Sequence, residues 1–352
     1  MHGVKKGIFG PGRHKVQNHK EDVVIKTRIT EMFGVKYPII CGGMMWLCKP
    51  PLCAAISNAG GMGNLTAANF ETEEDFRRAI HETRKLTDKP FTVNITAMPS
   101  LRITDEHLKM YFRVCAEERV AAIEVSGRPA DKVGGPGIID SLKKAGVKLF
   151  HKVGAVRHAK HAVKVGYDGI YAAGIEEGGH PLDDDVSTMV LVQRMVEEVD
   201  VPVVAVGGIA NGYTMAAALV LGAEGVMMAS RFMATRECRI HDLIKQELIN
   251  RHEMDTTLIT KSIGMQGRAL KNKTVQQILE IEARGGGLEE LVPLLAGEHG
   301  ERAWKNGDVE AAPMYVGQSI GLIHDLPTCA ELLERMMREG EEQIKKLHNR
   351  IF

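Results

Sequence analysis

The feature that most constrains the fold of this chain is an alternation of short apolar runs with amphipathic stretches. Eight runs are present: Pro38 to Cys41, Met62 to Leu65, Phe91 to Ile95, Ala121 to Val125, Val147 to Phe150, Gly169 to Ala172, Pro202 to Val206 and Gly225 to Met228. Strands of a parallel sheet are covered by helices on the outside and are buried throughout, so they appear in sequence as continuous apolar runs. Glu73 to Leu86, Ala155 to Val165, Thr188 to Val199 and Tyr213 to Leu221 carry helical spacing between them. Eight such units predict an α/β fold, a closed (β/α)8 TIM barrel in preference to an open doubly wound sheet.

A barrel takes about 250 residues, and the chain has 352. Residues 1–26 are expected to form a basic flexible arm, with Lys5, Lys6, Arg13, Lys15 and Lys20 and no acid up to that point. The barrel is expected over 27–237. Residues 238–325 lack strand-like runs, carry Arg284-Gly285-Gly286-Gly287 and suggest a helical lid inserted after the last strand. Residues 326–352 would close the barrel with a helix from Cys329 to Leu347, its stripe made by Leu332, Leu333, Met336 and Met337.

Composition excludes several classes. Lys and Arg number 45 against 45 Asp and Glu, without the basic excess of a nucleic-acid binder. No run of apolar residues is long enough to cross a membrane, and the basic arm lacks the apolar stretch of a secretory signal. The six cysteines form neither a disulfide framework nor a CxxC pair, which suggests reduced thiols in a cytoplasmic protein. The expected partner is a small molecule, with neither nucleic acid nor membrane.

Barrel active sites lie at the C-terminal ends of the strands. Cys41-Gly42-Gly43-Met44-Met45 follows the first run, where paired glycines either make a tight turn or let a ligand approach the backbone. Gly207-Gly208 follows the seventh run and Ala229-Ser230 the eighth, the two loops that commonly hold phosphate in barrels through backbone N–H groups and a helix N-terminus. Lys152 ends the fifth run, and a lysine in a barrel mouth needs an anionic partner. After the sixth comes Gly178-Gly179-His180, whose imidazole suits proton transfer or hydrogen bonding to an oxyanion. Asp183, Asp184 and Asp185 cannot all converge on one ion and are expected to cap the following helix. No ligand spacing supports a metal, the histidine pair His158 and His161 lying among basic neighbours. Met44, Met45, Met98 and Met314 are candidates for an adaptable apolar wall.

Taken in order, Pro38 to Met45, Asn58-Ala59-Gly60-Gly61, Asn94-Ile95-Thr96, His151-Lys152, Gly178 to Pro181, Gly207-Gly208 and Ser230-Arg231-Phe232 resemble the nitronate monooxygenase (2-nitropropane dioxygenase-like) flavoproteins. Ala234 to Cys238 and Glu282 to Gly286 are most similar to the branch that contains NADH:quinone reductases. The resemblance runs from about Thr27 to the C-terminus. It implies an FMN-binding barrel, with Gly43, Met44, Met45 and Thr96 around the flavin ring and Lys152 beside it. Gly178 is counted with the cofactor-binding residues. Gly179, Gly207, Gly208, Ala229 and Ser230 would hold the ribityl chain and phosphate, and His180 and Lys152 would be catalytic. Two positions depart from the family pattern, Ala229 standing for a glycine and Met45 for a glutamine, and Leu101 lacks the polar group that would contact an adenine.

The activity implied is an NAD(P)H:quinone-type reductase, with NADH or NADPH as co-substrate. Oxidation of alkyl nitronates with dioxygen and reduction of an enoyl thioester use the same residues. A barrel that binds a phosphorylated ligand without turnover, a Schiff-base enzyme using Lys152, and assembly as a homodimer complete the range of expectations.

Overall fold

The computed structural model describes residues 25–100, 102–135, 137–182, 184–295 and 297–351. Most of the basic arm, Leu101 and Asp183 lie outside the described residues. Eight parallel strands, β1 (Ile39–Cys41), β2 (Gly63–Thr66), β3 (Phe91–Ala97), β4 (Ala122–Gly127), β5 (Lys148–Val153), β6 (Gly169–Ala173), β7 (Val203–Val206) and β8 (Gly225–Met228), pair in the order β1-β8-β7-β6-β5-β4-β3-β2. The ends of that order meet, because Cys41 N–H donates to Met62 O and Met62 N–H to Ile39 O, each at 2.9 Å. The sheet is a TIM barrel, as the apolar alternation predicts.

Its interior is filled by side chains such as Ile40, Met62, Phe150, Tyr171, Val204 and Met227, with the Phe150 and Tyr171 rings 5.2 Å apart. Phe150 fits only because β6 opens with glycine: a Cβ on Gly169 would lie 2.1 Å from the Phe150 ring.

The helices follow the sequence periodicity. Glu73–Leu86 starts at Thr72, whose side chain accepts from Asp75 N–H, and buries Phe76, Ala79, Ile80 and Thr83 on one stripe. Helix Gly212–Val220 is opened by Asn211, which caps Thr214 N–H. The last helix, Cys329–Ile351, buries the stripe Leu332, Leu333, Met336 and Met337 and lies against Gly212–Val220.

One part of the chain differs from expectation. Between β8 and the last helix there are helices, including Lys273–Ala283, Leu288–Leu295 and Gly297–Asn306, but also an antiparallel ribbon of β9 (Thr256–Ile259) and β10 (Gly267–Leu270). Four-residue strands bearing Thr, Arg and Gly make no apolar run, so periodicity does not reveal them. The ribbon positions the site, because Arg268 N–H donates to Gly179 O at 2.7 Å and Gly179 N–H to Arg268 O at 3.2 Å. Among the described residues no helix is long and apolar enough to cross a membrane. All six cysteines are free and buried.

Candidate active site

At the C-terminal mouth of the barrel the loops enclose a cavity of about 550 Å³. Gly43, Met44, Met45, Thr96, Lys152, Gly178, Gly179, His180 and Ala229, all singled out in the sequence, line it. A smaller pocket of about 50 Å³ shares Gly43, Lys152, Gly178 and Ala229 with the first and adds Gly207 and Ser230. Gly208 lines neither cavity, but is next in the loop. Met98 also lines the large cavity, whereas Met314 is buried elsewhere.

The loop after β1 lies close against the barrel. A Cβ on Gly43 would come within 2.2 Å of Asn94 Cγ, so glycine is required there by crowding. Gly207 is required by conformation, its φ of 95° lying in the region L side chains avoid. Among the described residues the backbone N–H groups of Gly207, Gly208 and Ser230 have no acceptor in the protein, which suits them to an anion. The start of Gly212–Val220 does not contribute as expected, because Gly212 N–H already donates to Glu339 of the last helix at 2.9 Å. Ser230 is held in place by accepting from Gly317 N–H at 3.0 Å.

Lys152 does have its anionic partner. Its Nζ lies 3.1 Å from Glu177 Oε2, and both side chains are largely buried. Burial works against the ammonium, but Glu177 and Glu124 outweigh it and hold the Lys152 pKa above its ordinary value. A Schiff-base nucleophile needs the opposite shift, so that role does not fit. Glu124, on β4, accepts from Asn64 Nδ2 at 2.7 Å and from Gly43 N–H at 3.2 Å, tying the loop after β1 to the far side of the barrel.

His180 Nδ1 lies 3.0 Å from Gln266 O. A carbonyl oxygen only accepts, so Nδ1 carries the hydrogen and Nε2 presents a lone pair. Burial lowers the His180 pKa, keeping the ring neutral. The geometry suits a proton acceptor at Nε2. It becomes a donor only after taking up a proton. Tyr315 packs beside the ring, 5.2 Å between centroids.

Several cavity residues were not singled out by sequence reasoning. His151 is 4% exposed, gives its Nε2–H to Gly127 O at 3.1 Å, stacks on Tyr167 and has its pKa pushed down to about 4 by burial. His158 and His161, which the sequence places among basic neighbours, line the cavity with it. Trp46 and Trp304 supply aromatic wall. Trp46 has φ 69°, unusual for a bulky residue, and its Nε1–H donates to Gly297 O at 3.0 Å, joining the loop after β1 to the inserted segment. Glu124 was legible as an acid inside an apolar run. Asp184 and Asp185 do not cap the next helix: Asp184 pairs with Arg157, while the Thr188 N–H is taken by Glu176. Among the described residues no His, Cys, Asp and Glu group could hold a metal ion.

The chain matches the family model for nitronate monooxygenase over residues 26–339. It is 32% identical to the (3aS,4S,5R,7aS)-5-hydroxy-7a-methyl-1-oxo-octahydro-1H-indene-4-carboxyl-CoA dehydrogenase of Rhodococcus jostii (strain RHA1), covering 92% of this chain and 98% of that relative. It is 30% identical to a protein of Staphylococcus aureus (strain Newman) named "Probable nitronate monooxygenase", covering 84% of this chain and 92% of that one. Among solved structures, FabK from Thermotoga maritima superposes with a TM-score of 0.84 at 34% identity, over 93% of this chain and 99% of that chain. With a barrel of matching extent and a family match along nearly its whole length, this chain is an oxidoreductase that belongs to the nitronate monooxygenase family.

Proposed function

We propose that the protein is an FMN-dependent oxidoreductase that draws reducing equivalents from NADH or NADPH and acts on an acyl-thioester substrate in the apolar cavity. The observation that carries this reading is His180, a buried neutral imidazole fixed through Nδ1, with Nε2 left to exchange a proton inside a cavity of about 550 Å³. The carboxyl-CoA name of the Rhodococcus jostii relative supports the thioester class.

The residues fit FMN. Gly207, Gly208 and Ser230 offer backbone N–H groups without an acceptor among the described residues, beside a wider cavity that suits a flat ring. They would hold the phosphate and ribityl chain with Ala229, Gly178 and Gly179, and Gly43, Met44, Met45 and Thr96 would flank the ring. FMN, when bound, supplies the two-electron chemistry. The protein orients the substrate carbonyl, excludes water with Trp46, Trp304 and the methionines, and moves one proton at His180 Nε2. Lys152 supplies positive charge where negative charge develops.

A second reading, nitronate oxidation, is supported by the family and by the same Lys152 charge, which suits a substrate that is already an anion. A quinone acceptor remains the alternative for the NAD(P)H-linked reaction. Steady-state assays separate the three. Consumption of NADH or NADPH with a 2-enoyl-CoA supports the thioester reading, and consumption with a quinone alone replaces it. Oxygen uptake with propionate 3-nitronate, without coenzyme, would support the second reading.

A further inference from the structure

Glu282 to Gly286 closes the helix Lys273–Ala283 and does not line the cavity. The glycines are explained by the helix end: Gly285 takes φ 77°, and Gly286 N–H donates to Ile281 O at 2.9 Å. Glu282 is not. A carboxylate in the last turn of a helix faces the negative end of its dipole, so helix stability gives no reason for it. Its two oxygens instead receive backbone N–H groups from another element, Oε2 from Thr260 and Oε1 from Ser262, each at 2.9 Å.

Those donors belong to the turn 260–266 that joins β9 to β10 and lines the cavity with Gly264, Met265 and Gln266. The turn is strained where Glu282 holds it: Thr260 has φ 61°, a costly conformation for a β-branched residue. Thr260 is 2% exposed, so without Glu282 its N–H would be buried with no acceptor among the described residues. The same residue sets the far end of the turn. Its hydroxyl donates to Met265 O at 2.6 Å, and its carbonyl accepts Met265 N–H at 3.1 Å. Next in the chain is Gln266, whose carbonyl receives His180 Nδ1–H. The ties from Gln266 to Leu182 O and Asp185, and from Lys261 to Asp185, run to the loop that carries His180 itself. Glu282 anchors the turn to the inserted helices instead.

We propose that Glu282 is a positioning residue for His180: by receiving Thr260 and Ser262 N–H it holds the 260–266 turn in the shape that brings Gln266 O to Nδ1, and so fixes Nε2 as the nitrogen that faces the ligand. The path runs from Glu282 through Thr260, Met265 and Gln266 to His180, and every link in it is a hydrogen bond or a peptide bond. The contacts stand by themselves; their consequence for turnover rests on the acid–base role proposed above for His180.

The test is nitrogen-15 NMR of the histidine rings in the full chain as purified, at neutral pH, with His180 assigned by the signals lost in His180→Asn. In the wild type His180 is expected as a single tautomer, with the hydrogen on Nδ1 and a lone pair on Nε2. In Glu282→Ala the two nitrogens should move toward a common shift, as the hydrogen becomes shared between them. A wild-type ring with its hydrogen on Nε2, or an unchanged pattern in Glu282→Ala, overturns the proposal. Arg284→Ala removes the ion pair to Glu290 at the same helix end and should leave the His180 signals in place. The same change there as in Glu282→Ala overturns a specific role for the carboxylate. If Glu282→Ala fails to fold, the isosteric Glu282→Gln, which sets an amide NH2 against one of the two donors, is read by the same criterion. Turnover of a 2-enoyl-CoA with NADH or NADPH should fall about 10-fold or more in Glu282→Ala and be kept in Arg284→Ala. A wild type without that turnover is the failure of the proposed function, and the tautomer still decides the positioning.

Discussion

The hydrogen bond from His180 Nδ1 to Gln266 O, at 3.0 Å, joins the loop after β6 to the residue just before β10. The inserted segment therefore fixes which nitrogen of the candidate catalytic histidine faces the cavity. The neighbouring Gly179–Arg268 backbone pair holds the same junction.

The first prediction follows from that tautomer. His180→Ala should fold and keep its flavin but lose turnover by about 10²-fold or more, the range for removing a general acid–base group. Reduction of a 2-enoyl thioester consumes a proton, so the ring acts in its protonated form, and burial lowers its pKa. Activity should thus fall as pH rises through a midpoint below the ordinary histidine value. A fall centred at or above about 6.5 would contradict the assignment, as would wild-type kinetics in the variant.

His151 makes a stability prediction. Its pKa is about 4 in the folded chain against the ordinary histidine value of 6.5, so between those values the unfolded chain binds the extra proton. Stability is full above the unfolded value and is lost as pH falls through this window, by about 3 kcal/mol once both limits are passed. Melting temperature measured from pH 7 to pH 4 should drop in the wild type and drop less in His151→Phe. Equal slopes would show that His151 is not the titrating group.

Much of this was legible in the sequence, for identifiable reasons. The barrel was, because each parallel strand is a continuous apolar run; Gly225 to Met228 and Glu73 to Leu86 have the bounds that patterning gives. Glycine loops and His180 were legible because barrel topology says which end of each strand faces a ligand. The ribbon was not, since β9 and β10 are short and pair mainly with each other. Nor was the His151, His158 and His161 wall, because His151 on β5 and the two histidines of the following helix, which reads as basic, meet at the mouth only in three dimensions.

The loop after β1 can be tested by crowding. In Gly43→Ala the new Cβ would lie 2.2 Å from Asn94 Cγ, and Asn94 is itself buried. A cost of about 1–3 kcal/mol is expected for such overpacking, together with weakened FMN retention. Calorimetry and the flavin-to-protein absorbance ratio measure the two effects. An unchanged ratio would remove this loop from the cofactor site.

Ser230→Asp should expel the cofactor by setting a carboxylate beside its phosphate, while Ser230→Ala, which loses only the acceptor for Gly317 N–H, should retain most of it. Equal occupancy in Ser230→Asp and wild type would displace the phosphate from this loop.

Trp46 reports on the inserted segment. Trp46→Phe removes the bond to Gly297 O and weakens the stacking of Arg102, whose guanidinium carbon lies 4.6 Å from the indole. Limited proteolysis should then cut within residues 288–306 faster than in the wild type. An unchanged rate would show that the tryptophan does not fasten that segment.

The most direct test of the central claim is anaerobic stopped-flow mixing of the purified FMN-loaded protein with NADH and, separately, NADPH, following the visible flavin band. The account predicts rapid bleaching by one coenzyme, followed by return of the band when a 2-enoyl-CoA is added. A flavin that neither coenzyme bleaches, but that turns over propionate 3-nitronate in air, would contradict it.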